Sequence, residues 1–174
     1  MLIEVLSPET PAYNYNITQQ LPQIPLVTPL QEPLTFRHTI DIYLKDSNAY
    51  GNTYFARYFE WQGICRERWF QQCIVADMLQ KEGVLVTKNA HLDYVRETFP
   101  FQSVECQLNV QDIRQCSFTL LFSFLVEGSV IASGYQQIVF ATHDKRIQRF
   151  PAHILDKVRL YELQKEELNK SLFH

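Results

Sequence analysis

The sequence contains no Cys-x-x-Cys pair and no histidine pair at zinc-ligand spacing. Its four cysteines, Cys65, Cys73, Cys106 and Cys116, stand apart. That pattern argues against the common structural zinc modules and reads as buried, reduced thiols of an intracellular protein. No metal and no cofactor are expected. No apolar run approaches the ~20 residues of a bilayer span, and Glu4 and Glu9 lie where a secretory signal would carry basic residues. A cytoplasmic protein with no membrane partner is the expectation. An excess of positive charge is also missing. A net charge of −3 over 174 residues argues against nucleic acid as a partner, although a local basic patch could still meet an acidic protein. The chain has no Gly-x-Ser-x-Gly elbow, so an α/β-hydrolase route is unsupported. It also has no internal repeat or low-complexity tract.

What is present fits one domain with a substantial core: 46 % of residues are apolar and 13 % aromatic. Six of the eight prolines (Pro8, Pro11, Pro22, Pro25, Pro29 and Pro33) crowd into residues 1–34. They are too closely spaced for a helix or an inner strand, so an extended arm is expected there, followed by a folded domain over residues 35–174. From Thr35 the pattern alternates. Phe36, His38, Ile40, Ile42 and Leu44 take one face and Arg37, Thr39, Asp41, Tyr43 and Lys45 the other, the period of a half-buried strand. A long helix is predicted over about residues 53–81, closing near Gly83. Strands are predicted over residues 84–94, 104–111, 118–126 and 130–142, and an amphipathic helix over 154–169. One long helix followed by an antiparallel meander predicts an α+β fold in which a five-stranded sheet wraps a central helix.

The segment Leu44–Phe70 carries the chemistry. On a helical wheel Phe55, Tyr58, Phe59, Gln62, Arg66, Trp69, Phe70 and Cys73 share a face, with Arg57, Glu60, Glu67 and Arg68 opposite. Gln62 and Arg66 thus fall among aromatics, where a charge needs a partner. That partner is either structural, within the chain or across a subunit interface, or a ligand. Ahead of the helix, Asn48, Gly51 and Asn52 form a turn. Asn52 is a predicted N-cap, leaving the amides of Tyr54 and Phe55 free beside Asn48, a ready oxyanion site. Ordinary turn chemistry satisfies Asn48 and Asn52 equally well. His91 and Asp93 share a strand face, a spacing that favours a structural role. Lys145, Arg146 and Arg149 form a basic cluster read as a solvated turn or as a carrier-protein contact.

Asp46-Ser47-Asn48-Ala49-Tyr50-Gly51-Asn52, followed by Tyr54-Phe55-Ala56-Arg57-Tyr58-Phe59-Glu60-Trp61, resembles the hotdog-fold thioesterases of the 4-hydroxybenzoyl-CoA type. Asn48 replaces that family's acidic residue and Asn52 its histidine. With Trp61-Gln62-Gly63 and Cys65-Arg66-Glu67, the pattern is most similar to the thioesterases of enediyne polyketide biosynthesis. The resemblance covers about residues 35–150, including His91-Leu92-Asp93-Tyr94-Val95-Arg96 and Ala132-Ser133-Gly134. It implies a hotdog fold, a homotetramer built as a dimer of dimers, and active sites at dimer interfaces. It also implies hydrolysis of a β-ketoacyl, polyketide-type thioester on an acyl carrier protein, with no catalytic carboxylate. Carried over by position, Asn48, Arg66 and the Phe55 amide are the catalytic groups, with Gly51, Asn52, Tyr54, Tyr58 and Gln62 around the substrate. Two alternatives stay open: an aryl- or acyl-CoA thioesterase, and a non-catalytic acyl-binding subunit. A hotdog dehydratase is disfavoured, because no matching histidine is present.

Overall fold

The computed structural model describes residues 32–74 and 83–163. The predicted arm, apart from its last three residues, the end of the long helix and the tail of the C-terminal helix lie outside the described residues. The element order is β1 (Phe36–Asp41), α1 (Arg57–Trp69), β2 (Val84–Tyr94), β3 (Ser103–Gln111), β4 (Ser117–Val126), β5 (Ser129–Ala141) and α2 (Ala152–Arg159). The strands form one antiparallel sheet in the order β1-β3-β4-β5-β2, and α1 packs on it against β3, β1 and β2. This is the hotdog fold that the helix-then-meander pattern predicts.

The alternation read from the sequence is the alternation of burial. Val104, Cys106, Leu108 and Val110 of β3 and Phe118, Leu120, Phe122 and Phe124 of β4 point into the core. The helix meets them with Tyr58, Trp61, Cys65 and Trp69. Trp61 and Tyr58 pack together, their rings tilted at 56° with centroids 4.6 Å apart, and both meet Phe124. The buried stripe keeps Tyr58, Gln62, Trp69 and Phe70 of the predicted face and adds Trp61 and Cys65, so it is rolled to one side of that prediction. Phe55 and Phe59 are exposed, and Arg66 lies at the stripe's edge. The sequence predicts the helix from about residue 53, four residues before its start at Arg57, and the wheel leaves Trp61 off the inward face.

Two further predictions are corrected. The first strand ends at Asp41, and Leu44–Asp46 forms a 3₁₀ turn. There the Asp46 carboxylate is buried, accepts from the Tyr43 amide (2.9 Å) and lies 3.5 Å from Arg57 Nε. An ion pair inside the chain connection outweighs the alternating pattern. At its other end, α1 gives way to a π turn over Phe70–Ile74, which lets Trp69, Phe70 and Ile74 all bury. Lys157 of α2 caps that turn, its ammonium 2.6 Å from the Ile74 carbonyl, a cation where a helix end leaves acceptors unpaired.

Hydrogen bonding with Cys65 and burial push the Cys106 thiol far above its usual range. Both cysteines are fully buried, so the thiol beside Arg66 is structural. The His91 imidazole lies 3.0 Å from Asp93 and stacks on Tyr135 on an exposed face. The Lys145–Arg146 stretch is an exposed turn closed by bonds with Thr142.

Candidate active site

The turn before α1 is built by its own side chains and amides. Gly51, at φ +85°, lets the Asn48–Asn52 loop reverse, and Gly51 N–H donates to the Asn48 carbonyl. Asn48 Oδ1 accepts from the Tyr50 amide at 2.8 Å, a local side-chain turn. The carboxamide is thereby oriented. One lone pair of its oxygen is engaged, and the two N–H groups of Nδ2 have no partner among the described residues.

The helix begins at Arg57, so Asn52 is not its N-cap, and no side-chain cap is present. Asn52 Nδ2 instead donates to Glu97 Oε1 at 2.6 Å. Asn52 Oδ1 is buried without a partner among the described residues. The free amides also differ from expectation. The Tyr54 N–H is taken by the Asp46 carbonyl and the Thr53 N–H by the Thr98 carbonyl, each at 2.8 Å. The Phe55 N–H donates to no described backbone carbonyl outside the helix, so it remains available. Tyr94 Oη pins the Phe55 carbonyl at 2.9 Å.

A cavity of about 310 Å³ opens here, lined by Asn48, Asn52, Phe55, Tyr58, Tyr94 and Glu97 among others. Its floor is a buried hydroxyl chain: Tyr58 Oη meets Thr98 Oγ1 at 2.7 Å, which bonds Thr53 Oγ1 at 2.8 Å. Burial raises the Tyr58 and Tyr94 phenols above their ordinary range, so both stay neutral near pH 7. A second, polar cavity of about 260 Å³ adjoins it, sharing Arg96, Glu97 and Thr98 and closed by Glu127 from the β4–β5 turn.

Of the residues predicted for the site, Asn48, Asn52, Phe55 and Tyr58 come together around the first cavity. Gly51 shapes the turn, and Tyr54 is half exposed with its ring on Phe55. Gln62 and Arg66 lie elsewhere, between α1 and the β2–β5 edge. Gln62 is fully buried; its Nε2 donates to the His91 carbonyl and its Oε1 accepts from Gln136 Nε2, both at 3.2 Å. Arg66 donates to Thr87 Oγ1 at 2.6 Å and Gln136 Oε1 at 3.2 Å, and its guanidinium lies 3.6 Å from Glu67. The helical glutamine and arginine are thus satisfied within the chain, as buried polar groups must be.

Gly134 makes that arrangement possible. A Cβ there would lie 2.2 Å from the His91 carbonyl oxygen and 2.9 Å from Gln62 Nε2. Backbone cannot yield cheaply, so Gly134→Ala is expected to cost about 1–3 kcal/mol, read as a lowered denaturation midpoint. Tyr94, Glu97, Thr98 and Gln136 were not singled out from the sequence as site residues. Their one signal was position at a strand end or on a sheet face, which does not identify what they meet across the fold.

The model of the thioesterase-like superfamily matches residues 42–158 of the chain. No curated protein sequence matches it. Among solved structures, the chain is similar to the dynemicin thioesterase, at 23 % identity and a TM-score of 0.68, over 75 % of this chain and 99 % of that one. It is also similar to a gentisyl-coenzyme A thioesterase, at 17 % identity and a TM-score of 0.65, over 70 % and 98 % of the two chains. A third is a 1,4-dihydroxy-2-naphthoyl-CoA thioesterase from Synechocystis, at 14 % identity and a TM-score of 0.66, over 72 % and 96 %. At these identities the likenesses establish the shared fold. The family match spans the turn, the helix and strands β2 to β5, and the chain belongs to the thioesterase-like superfamily.

Proposed function

We propose that the protein hydrolyses acyl thioesters, and that its substrate is a β-ketoacyl, polyketide-type chain carried on an acyl carrier protein. The observation that carries this reading is the cavity at the head of α1, lined by both Asn48, whose Oδ1 is turned back on the Tyr50 amide, and Phe55, whose N–H is available. Two donors converging on one carbonyl oxygen suit the oxyanion of a tetrahedral intermediate. An amide at position 48 cannot act as a base near neutral pH, which separates this chain from the aspartate-bearing members its sequence resembles. The likeness to the dynemicin thioesterase, a protein whose structures concern polyene binding, supports a polyketide-type acyl group. Likeness to two CoA thioesterases keeps aryl- or acyl-CoA hydrolysis as the second reading.

The reading includes a dimer. β2 is an edge strand of eleven residues, most of them exposed, and such an edge seeks a partner. Arg66 is tied to Thr87 while the cavity lies at Tyr94, seven positions along β2, or roughly 20 Å at about 3.3 Å per residue. Arg66 therefore cannot serve the cavity of its own chain. Antiparallel pairing of β2 with a second copy about its middle would reverse the strand and bring Arg66 toward the partner's Tyr94. The arginine could then bind the oxyanion or a β-keto enolate oxygen.

The test is hydrolysis of one β-ketoacyl group presented on a carrier protein and on CoA, with an aryl-CoA for comparison. Release from the carrier protein at least ~10-fold faster, as kcat/KM, is the expected result. Preference for either CoA ester would replace the substrate, and tight binding without release of any would replace hydrolysis with an acyl-binding role.

A further inference from the structure

The resemblance in sequence implies chemistry without a carboxylate, yet the fold brings one to the cavity from another part of the chain. We propose that Glu97 is the general base that activates the attacking water, with Asn52 as its positioning residue. The inference rests on the hydrolytic reading above and adds the group that reading lacks. Asn48 is a carboxamide and not a base, the Phe55 N–H is a donor, and Tyr58 and Tyr94 are neutral phenols. None of these takes a proton from water near pH 7, and Glu97 is the one carboxylate lining this cavity.

Three observations place it there for a purpose beyond surface charge. It sits at the junction of the two cavities, lining both, so a water beside it has access to solvent and to the acyl site. Its Oε1 is held by Asn52 Nδ2 at 2.6 Å, across a sequence separation of 45 residues, while no ion pair with a described cation fixes it as a structural charge. The held amide also suits both protonation states. Nδ2 donates to the carboxylate, and Oδ1, buried and unpaired, could accept from the carboxylic acid after a flip of the carboxamide.

In the proposed step the Glu97 carboxylate takes one proton from water as the water oxygen bonds to the thioester carbonyl carbon. The carbonyl π electrons move to oxygen, where the Asn48 and Phe55 N–H groups hold the oxyanion. Collapse reforms C=O and breaks the C–S bond. The departing thiolate takes the proton back from Glu97, leaving a carboxylic acid, a thiol and the carboxylate regenerated.

The charged and titratable groups facing Glu97 are Arg96 on its own loop, Tyr58 of α1, Tyr94 of β2 and Glu127 of the β4–β5 turn. Of these only Glu127 is another carboxylate, so Glu127→Gln is the control. The experiment measures pH profiles of kcat/KM for wild type, Glu97→Gln and Glu127→Gln on the thioester that wild type hydrolyses best. Glu97→Gln keeps the shape and the bond from Asn52, so the fold is retained. The expected result is a fall in kcat of about 10²-fold or more, little change in KM, and loss of an acidic limb that Glu127→Gln keeps. Added formate should restore part of the turnover of Glu97→Ala, which a purely structural role would not allow. Wild-type kcat and an intact acidic limb in Glu97→Gln would overturn the proposal and leave the hydrolytic reading standing. A wild type inert on carrier-protein and CoA thioesters alike would overturn both.

Discussion

Arg66→Ala is expected to lower turnover by about 10²–10³-fold, the cost of losing an oxyanion donor in a water-poor site. The change should fall on kcat, with KM moved little, because the oxyanion exists only at and near the transition state. The substitution also leaves Thr87 Oγ1 and Gln136 Oε1 without their donor, but Arg66 is partly exposed and water can replace it. Far-UV circular dichroism should therefore be unchanged. The dimer reading adds a sharper expectation. If Arg66 of one subunit serves the cavity of the other, Arg66→Ala and Asn48→Ala subunits are each inactive as homodimers. Their mixed dimer has one site with both lesions and one with neither. Unfolding the two together and refolding should restore about a quarter of wild-type activity, since half of the dimers are then mixed and each has one intact site. No recovery, with both variants dimeric, would place Arg66 in a purely structural role tying α1 to the β2–β5 edge.

The largest effect on stability is expected at Trp69. It is fully buried and meets Phe70, Phe118 and Tyr161 edge-on at 5.6–6.1 Å. It thereby joins α1, the sheet and the segment after α2 in one contact set. Trp69→Ala removes that junction and opens a cavity, at a cost of about 3–5 kcal/mol. That is a large share of the ~5–15 kcal/mol that keeps a domain folded, so much of the variant should be unfolded at 37 °C. Trp69→Phe should cost well under half as much. The indole Nε1 is buried without a hydrogen-bond partner among the described residues, and replacing the ring by phenyl removes that unpaired donor while keeping most of the apolar contact. Urea denaturation midpoints of the two variants, with equal slopes, are the measurement. Equal losses for both would mean that the indole nitrogen is satisfied in solution, by a water for instance.

The architecture was legible from the residues because its determinants are local and periodic. Val104 to Gln111 alternates strictly, and so does the burial of β3. The same holds for β4, and the β4–β5 reversal falls at Glu127–Gly128, where both residues take positive φ. The turn before the helix was legible as a turn for the same reason, since Asn48 and Gly51 serve their neighbours within a few residues. Where a helix begins and which way it rolls depends on what lies across from it. Asp46 draws the chain into a 3₁₀ turn through Arg57, delaying α1 to that residue, and the helix then rolls to bury Trp61 and Cys65.

The site divides along the same line. Sequence alone determined that Asn48 falls in a turn and that Gln62 and Arg66 share a helix, and its resemblance implied that Asn48 takes the place of the family's acid. Only the tertiary structure decided that Asn48 Oδ1 turns back on the Tyr50 amide, that Arg66 faces Thr87 and Gln136, and that Glu97 meets Asn52 over 45 residues. Side-chain type and spacing specify a residue's neighbours along one element. Hydrogen-bond partners from different strands are chosen by register and packing, which no single segment contains.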